Sequence, residues 1–183
     1  PSTEGGYRRL NGTTKYNSTI VPQVVSAADR VQMSAIFNDK IIAARGGTVY
    51  YGGTTGSWTS IATSQGVNNT YDFDKFNFSG TSKIIIATGE APAFTVDTSF
   101  NVDVINATGG GTAPTNPKFI KTFANHVFYG GMSNSTHSIL FSVPFSEDNF
   151  TSASGAGEIR VGDVVTGLKV FRDELFIFCQ RKI

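Results

Sequence analysis

Residues 33–44 read MSAIFNDKIIAA, in which Asn38-Asp39 separates two short apolar runs. Asn and Asp tolerate a positive φ better than most residues, and a two-residue polar loop between apolar runs is a strong local signal for a β-hairpin. The stretch therefore predicts a first strand that ends at Phe37, a tight turn, and a return strand that begins at Lys40.

The same pattern recurs three times further along the chain. Each copy has an apolar run ending in Phe, a short polar turn and a second apolar run, and the strand-ending residues are Phe37, Phe78, Phe123 and Phe171. They are 41, 45 and 48 residues apart. A period in the forties with about four short strands per unit is typical of β-propeller blades, whose sheets bury both faces only by stacking on neighbours. We therefore predict an all-β fold of antiparallel, propeller-like blades; a β-sandwich of the same hairpins is the alternative.

The repeat divides the chain unequally. Residues 1–31 are rich in turn residues and carry Pro22 within an apolar run, so we predict an extended N-terminal arm. Residues 32–183 hold the repeat, with room for about three and a half units. The fourth unit stops at Ile183 within an apolar stretch. Either the arm completes that unit or the sequence is a piece of a longer protein, and the absence of an initial Met favours the longer protein.

Composition narrows the function classes. Hydrophobic residues make up 39% of the chain and charged residues 16%, and 15 Phe supply bulk for a core. The net charge is +1 and no basic run is present, so the charge pattern does not indicate nucleic-acid binding or a polybasic membrane contact. It shows no signal peptide, and no apolar run approaches the ~20 residues of a membrane span. We therefore expect no membrane anchor.

Residues that carry chemistry are few and scattered. Neither His126 nor His137 has a His, Cys or carboxylate at metal-ligand spacing, and Cys179 lies in an apolar run typical of a small buried side chain. Asp72 and Asp74 flank Phe73 and would share one face of a strand, where they could bind a cation or act as an acid/base pair; a solvated strand edge is the alternative. We predict no catalytic, cofactor-binding or metal-binding residue and no enzyme activity.

Three further motifs have structural explanations. Residues 109–112 read GGGT but no Lys and no predicted helix follow, so they indicate a flexible connector and not a phosphate-binding loop. Trp58 follows a Gly-rich loop; it could stack on a sugar at a propeller rim or pack within a blade. Glu147 and Asp148 are expected to be solvated loop residues.

Two stretches resemble proteins of tailed bacteriophages. Residues 4–12, EGGYRRLNG, resemble an opening found near the N-terminus of many tailed-phage virion proteins. Residues 125–178 resemble a repeat of phage tail proteins; the elements that match in order are NHVFYG, ILFS, EDNF, GEIRVGD, VTGL and FRDELFIF. Together the two stretches cover about a third of the chain.

The resemblance implies a propeller-bearing component of the tail nozzle or tail tip of podovirus-like particles. Such a protein is made in the host cytoplasm and resides in the virion, where it forms a ring or tube around the DNA channel with other copies and with neighbouring tail proteins. DNA is then only a cargo that passes the channel, and no cofactor or enzyme activity is implied. Two alternatives stay open from the residues themselves: a carbohydrate- or receptor-binding propeller that uses Trp58, and a glycosidase-type enzyme that uses Asp72 and Asp74.

Overall fold

The computed structural model describes residues 17–19, 21–22 and 30–182. These residues form fourteen β-strands, and the one helix among them is a 3-10 turn at Ser152–Ser154. Every strand pair is antiparallel. The all-β prediction is therefore confirmed. No helix in this part of the chain approaches the length and apolar character needed to cross a membrane.

The strands form three four-stranded sheets and one hairpin, each a meander in which consecutive strands pair. Sheet I contains β1 (Val31–Phe37), β2 (Lys40–Arg45), β3 (Thr48–Gly52) and β4 (Thr59–Ala62). Sheet II contains β5 (Asp72–Phe78), β6 (Thr81–Ala87), β7 (Phe94–Asp97) and β8 (Val102–Val104). Sheet III contains β9 (Phe119–Phe123), β10 (His126–Met132), β11 (Ser135–Phe141) and β12 (Gly157–Arg160). The terminal hairpin contains β13 (Val165–Phe171) and β14 (Glu174–Cys179).

The four predicted hairpins are present, and each first strand ends at the predicted Phe. Both residues of every turn have a positive φ, as a type I′ turn requires. The turns include Ala124 at 47° and Arg172 at 48°, although neither residue type favours that conformation. The second turn consists of Ser79 and Gly80 only, because Phe78 already pairs with Thr81.

The sheets stack face to face in chain order. Ile84 and Ile86 on β6 pack in a cluster with sheet I, whereas Ile85 between them packs in a cluster with sheet III. Successive side chains of a strand point to opposite faces, so a strand covered on both sides must be apolar at every position. This explains why β6 carries three consecutive Ile residues, all fully buried.

Sheet III repeats the arrangement one step further along the chain. Val127 and Tyr129 on β10 pack toward sheet II, and Phe128 between them packs toward the terminal hairpin. Each hydrophobic cluster thus joins two sheets that are consecutive in sequence. Stacking of small sheets in this way is the burial that the repeat predicted; no sheet closes on itself in the described residues.

Most of the predicted arm, residues 1–31, and all of the stretch 4–12 lie outside the described residues. The described part of the arm lies against sheet I. The side-chain amide of Asn17 donates to the carbonyl of Gly53 at 2.8 Å, and Arg45 donates to the carbonyl of Val21 at 2.9 Å. Val31 belongs to β1, so the first sheet begins one residue before the expected boundary.

Candidate functional site

Asp72 and Asp74 act as links between two sheets. Asp72 Oδ2 accepts the backbone N–H of Ile120 at 3.0 Å, and Asp74 Oδ2 accepts the backbone N–H of Thr122 at 2.7 Å. The Thr122 hydroxyl also donates to Asp74, at 2.8 Å. Both carboxylates therefore lie on one face of β5, as their spacing predicted, but they serve as acceptors for the edge of β9.

A cleft of about 480 Å³ lies beside this pair, with Lys121 and Lys169 among its lining residues. Lys121 Nζ lies 3.2 Å from Asp72 Oδ1 and 2.9 Å from the carbonyl oxygen of Phe73. A general base or a cation site needs carboxylate oxygens that are free to face a ligand. Here Asp72 Oδ2 and Asp74 Oδ2 accept amides of β9, Lys121 Nζ binds Asp72 Oδ1, and Asp74 Oδ1 accepts the N–H of the neighbouring Lys75. The arrangement therefore ties β5 to β9.

A second group of carboxylates fixes the connections between sheets. Glu90 accepts the backbone N–H groups of Asn68 and Asn69, both at 2.9 Å, and of Val67 at 3.3 Å. These three residues form the connection from sheet I to sheet II. Burial acts to raise the pKa of Glu90, but the hydrogen bonds from Asn68, Asn69 and Val67 outweigh it and hold that pKa below its usual value.

Asp148 has the same role one sheet later. Its carboxylate accepts the backbone N–H groups of Asn106, Ala107 and Thr108 at 2.9, 2.6 and 2.9 Å, in the connection from sheet II to sheet III. The neighbouring Glu147 pairs with Lys83 of sheet II. Glu147 and Asp148 are half-buried, and each carboxylate fixes an adjacent sheet or connection, a role that the expectation of solvated loop residues did not include.

Sequence reasoning missed the role of Glu90 and Asp148. The available signal was their position: each lies in a loop after an inner strand, and the connection that each holds lies earlier in the chain. The backbone partners lie between 21 and 42 residues away, so no local pattern pairs them with their acceptors.

The Gly-rich stretch 109–112 is packed against the loop after β11. Phe150 donates its N–H to the carbonyl of Gly110 at 2.8 Å, and Gly109 donates to the carbonyl of Asp148 at 3.2 Å. Gly111 has a φ of 82°, and a Cβ there would lie 2.3 Å from the Phe150 carbonyl oxygen. The stretch is a connector, as predicted, but a closely packed one, and its amides at Gly109 and Gly110 bind carbonyls within the protein.

Trp58 packs against the protein on one face of its ring. A Cβ on Gly52 would lie 2.7 Å from ring atom Cε3, so the indole covers the Gly52 backbone. The indole N–H donates to the carbonyl of Thr19 at 3.0 Å. Of the two interpretations of Trp58, the geometry favours packing within sheet I over a sugar platform.

The remaining candidates take part in local contacts. His126 Nδ1 lies 2.6 Å from the carbonyl oxygen of Ser142, and His137 Nδ1 lies 3.1 Å from the Thr136 hydroxyl. Cys179 is half-buried, not buried as predicted, because it lies near the end of an edge strand. Among the described residues no group of three or more His, Cys, Asp or Glu side chains is placed to hold a metal ion.

Exposed apolar side chains lie on the outer face of the terminal hairpin. On this face Phe171 of β13 is 56% exposed and Phe178 of β14 is 36% exposed. Phe176, also on β14, contacts the Phe171 ring, and the two ring centroids are 6.5 Å apart. Contiguous exposed apolar side chains of this kind mark an interaction surface. We call these three residues the phenylalanine face.

The phenylalanine face has three counterparts within the chain. Phe37, Phe78 and Phe123 occupy the position of Phe171 in the other sheets, and each packs in the cluster shared with the following sheet. Phe37, for example, is only 5% exposed. Among the described residues, no further sheet covers the corresponding face of the β13–β14 hairpin. Comparison with protein families, with curated proteins and with solved structures finds no match for this chain.

Proposed function

We propose that this chain is a structural component of a bacteriophage tail, of the nozzle or tail-tip type. Its stacked antiparallel sheets act as β-propeller-like blades, and it assembles through protein–protein contacts into a ring or tube around the DNA channel. The observation that carries the proposal is the phenylalanine face, which has the composition of a buried sheet-to-sheet interface but is exposed.

Two further observations support an assembling scaffold. The carboxylates of Asp72, Asp74, Glu90 and Asp148 accept backbone N–H groups from neighbouring sheets or connections. A net charge of +1 permits close packing of copies, because self-repulsion between them is small. These features favour a role in which the protein supplies shape and contacts.

Location in the particle tests the proposal directly. Antibodies raised against the purified chain should label the tail ends of phage particles in electron micrographs of a lysate in which the protein is produced. Labelling that is confined to free protein and never found on particles would overturn the proposal.

Assembly is tested separately by sedimentation of the purified chain over a range of concentrations. We expect discrete oligomers that Phe171→Asp abolishes, because a carboxylate buried against an apolar face is strongly unfavourable. Val104→Asp is the matched control, since Val104 is also an exposed apolar residue, on β8 of sheet II. A chain that stays monomeric at every concentration and does not join particles would contradict the scaffold role.

A further inference from the structure

Phe100 and Phe145 occupy equivalent positions in consecutive sheets. Each lies in the loop between the third and fourth strands of its sheet, and their φ angles are 64° and 60°. Each ring makes an edge contact with the strand-ending Phe of the preceding sheet. The centroids of Phe100 and Phe37 are 6.4 Å apart, and those of Phe145 and Phe78 are 6.2 Å apart. A positive φ is unfavourable for a bulky side chain, so both loops hold a Phe at a cost in conformational energy.

The two rings differ in what covers them. The Tyr51 ring stacks on Phe100, with centroids 4.0 Å apart and an angle of 10° between the planes. Tyr51 lies opposite the third residue of the return strand β2. In sheet II the corresponding position is held by Asp97, opposite Lys83. Phe145 therefore has no stacked ring among the described residues, and it is 60% exposed.

The groups around Phe145 carry an excess of negative charge. Lys83 lies opposite Asp97 and pairs with Glu147, two residues after Phe145. A hydrogen bond from the Asn101 side chain is the main cause that holds the pKa of Asp97 below its usual value, so this carboxylate is ionised at neutral pH. Two carboxylates thus share one ammonium group. An uncovered aromatic ring beside excess carboxylate suits the Arg guanidinium group, which is planar, stacks on rings and binds carboxylates through two hydrogen bonds.

The arginines of the chain identify an occupant. Two of the seven, Arg8 and Arg9, precede the described residues. The other five contact groups elsewhere in the protein: Arg30 binds the Asn68 carbonyl, Arg45 the Val21 carbonyl, Arg160 the Glu158 carboxylate, Arg172 the Phe171 ring and Arg181 the Asp163 carboxylate.

Arg8 and Arg9 are within reach of Phe145 along the chain. Asn17 binds the carbonyl of Gly53 at 2.8 Å, directly after β3 and at the end of sheet I where the first hairpin turn lies. The Phe145 loop lies at the same end of sheet III, which is two sheets away, or ~20 Å at ~10 Å per stacked sheet. Arg9 precedes Asn17 by eight residues, which span up to ~26 Å when extended.

We propose that Phe145 binds the guanidinium group of Arg8 or Arg9 of the same chain. The group stacks on the exposed face of the ring and pairs with the carboxylate of Asp97 or Glu147. The contact ties the N-terminal segment to the junction of sheets II and III. This inference goes beyond the proposed function, because it concerns the folded chain itself and does not depend on where the protein resides.

The accessibility of the Phe145 ring tests the contact. The full chain is exposed to hydroxyl radicals, and oxidation of Phe145 is measured by mass spectrometry. The double variant Arg8→Gln, Arg9→Gln should raise the oxidation rate at least about twofold, because an exposed cation–π contact keeps the ring covered most of the time. Lys15→Gln is the matched control, since it removes a positive charge from the same segment, and it should leave the rate unchanged. Phe100 is the internal reference.

Two further measurements identify the group that covers the ring. The double variant Arg8→Lys, Arg9→Lys should oxidise at Phe145 nearly as fast as the Gln variant, because an ammonium group lacks the planar fork of guanidinium. Oxidation of Phe145 in the native chain should not depend on protein concentration, because a contact within one chain is independent of mass action.

Three results would overturn the inference. They are an unchanged oxidation rate at Phe145 in the Gln variant, full protection of the ring in the Lys variant, and protection that appears only at high protein concentration, which would make a second copy the partner. Each leaves the virion role in place, because the experiment uses only the purified chain. Conversely, antibody labelling that never appears on particles would overturn the virion role and leave this contact unaffected.

Discussion

Asp74 on β5 binds Thr122 on β9 twice, through the backbone N–H at 2.7 Å and through the hydroxyl at 2.8 Å. Asp74→Ala leaves both donors without this acceptor. We expect the free energy of unfolding to fall by about 1–3 kcal/mol, the usual cost of unsatisfied, partly buried hydrogen-bonding groups. Urea unfolding measures the change. Asp103→Ala on the exposed side of β8 is the control and should change stability by less than about 0.5 kcal/mol. Equal effects of the two variants would contradict the link between the sheets.

Burial of β6 on both faces predicts a large difference between two Ile residues. Ile85 is fully buried between sheets II and III, whereas Ile36 is 68% exposed. Ile85→Ala should cost about 2–5 kcal/mol because it removes apolar contacts and leaves a cavity. Ile36→Ala should change the free energy of unfolding by no more than about 0.5 kcal/mol. Both values come from denaturant unfolding, and similar losses in the two variants would argue against the stacking of the sheets.

The turn residue Ala124 predicts a stabilising substitution. Its φ is 47°, a conformation that Gly adopts without the steric cost of a Cβ. Ala124→Gly should therefore raise the free energy of unfolding by about 1 kcal/mol. Ala153→Gly in the 3-10 turn, where φ is not positive, should instead lower it by about 0.5–1 kcal/mol. Thermal or urea unfolding of the pair tests the sign, and a loss of stability at both positions would contradict the type I′ turn.

Glu90 predicts a pH dependence with a definite sign. Its pKa in the folded protein lies below the ordinary value of 4.5, so the folded state favours the ionised form. The stability from this preference is fully present above about pH 5 and is lost as the pH falls through the lowered folded pKa. Glu90→Gln removes the titrating group.

The comparison with this variant isolates Glu90 from other carboxylates. The stability difference between the native protein and Glu90→Gln should be constant from about pH 7 to 5 and should shrink toward pH 3. Urea unfolding midpoints at each pH measure it. A difference that grows as the pH falls would show that the carboxylate is not held in its ionised form.

The hairpins could be predicted from sequence because their signals are local. Asn38-Asp39, for example, stands between two apolar runs, and both residue types tolerate the positive φ that the turn requires. The repeat of the strand-ending Phe residues also predicted that the sheets must stack, since one small sheet cannot bury both faces.

The roles of individual polar residues could not be predicted in the same way. Asp148 binds amides about forty residues earlier in the chain, and only the stacked sheets bring the two together. Cys179 lies in an apolar run that indicated burial, yet it is half-buried, because β14 pairs on one side only among the described residues. In both cases the local sequence predicts the strand or loop in which the residue lies. The burial and the hydrogen-bond partners of its side chain depend on the neighbouring sheet.

The three hydrophobic clusters each involve only two consecutive sheets. Cooperativity in such a molecule is of nearest-neighbour type, so a change in one sheet is felt by the next and weakens with each further step. The same nearest-neighbour packing allows the number of sheets to change during evolution. Each inner sheet packs against the preceding sheet on one face and against the following sheet on the other. Such a sheet can be duplicated or deleted while the remaining interfaces keep their contacts, so the number of sheets can change without a new core.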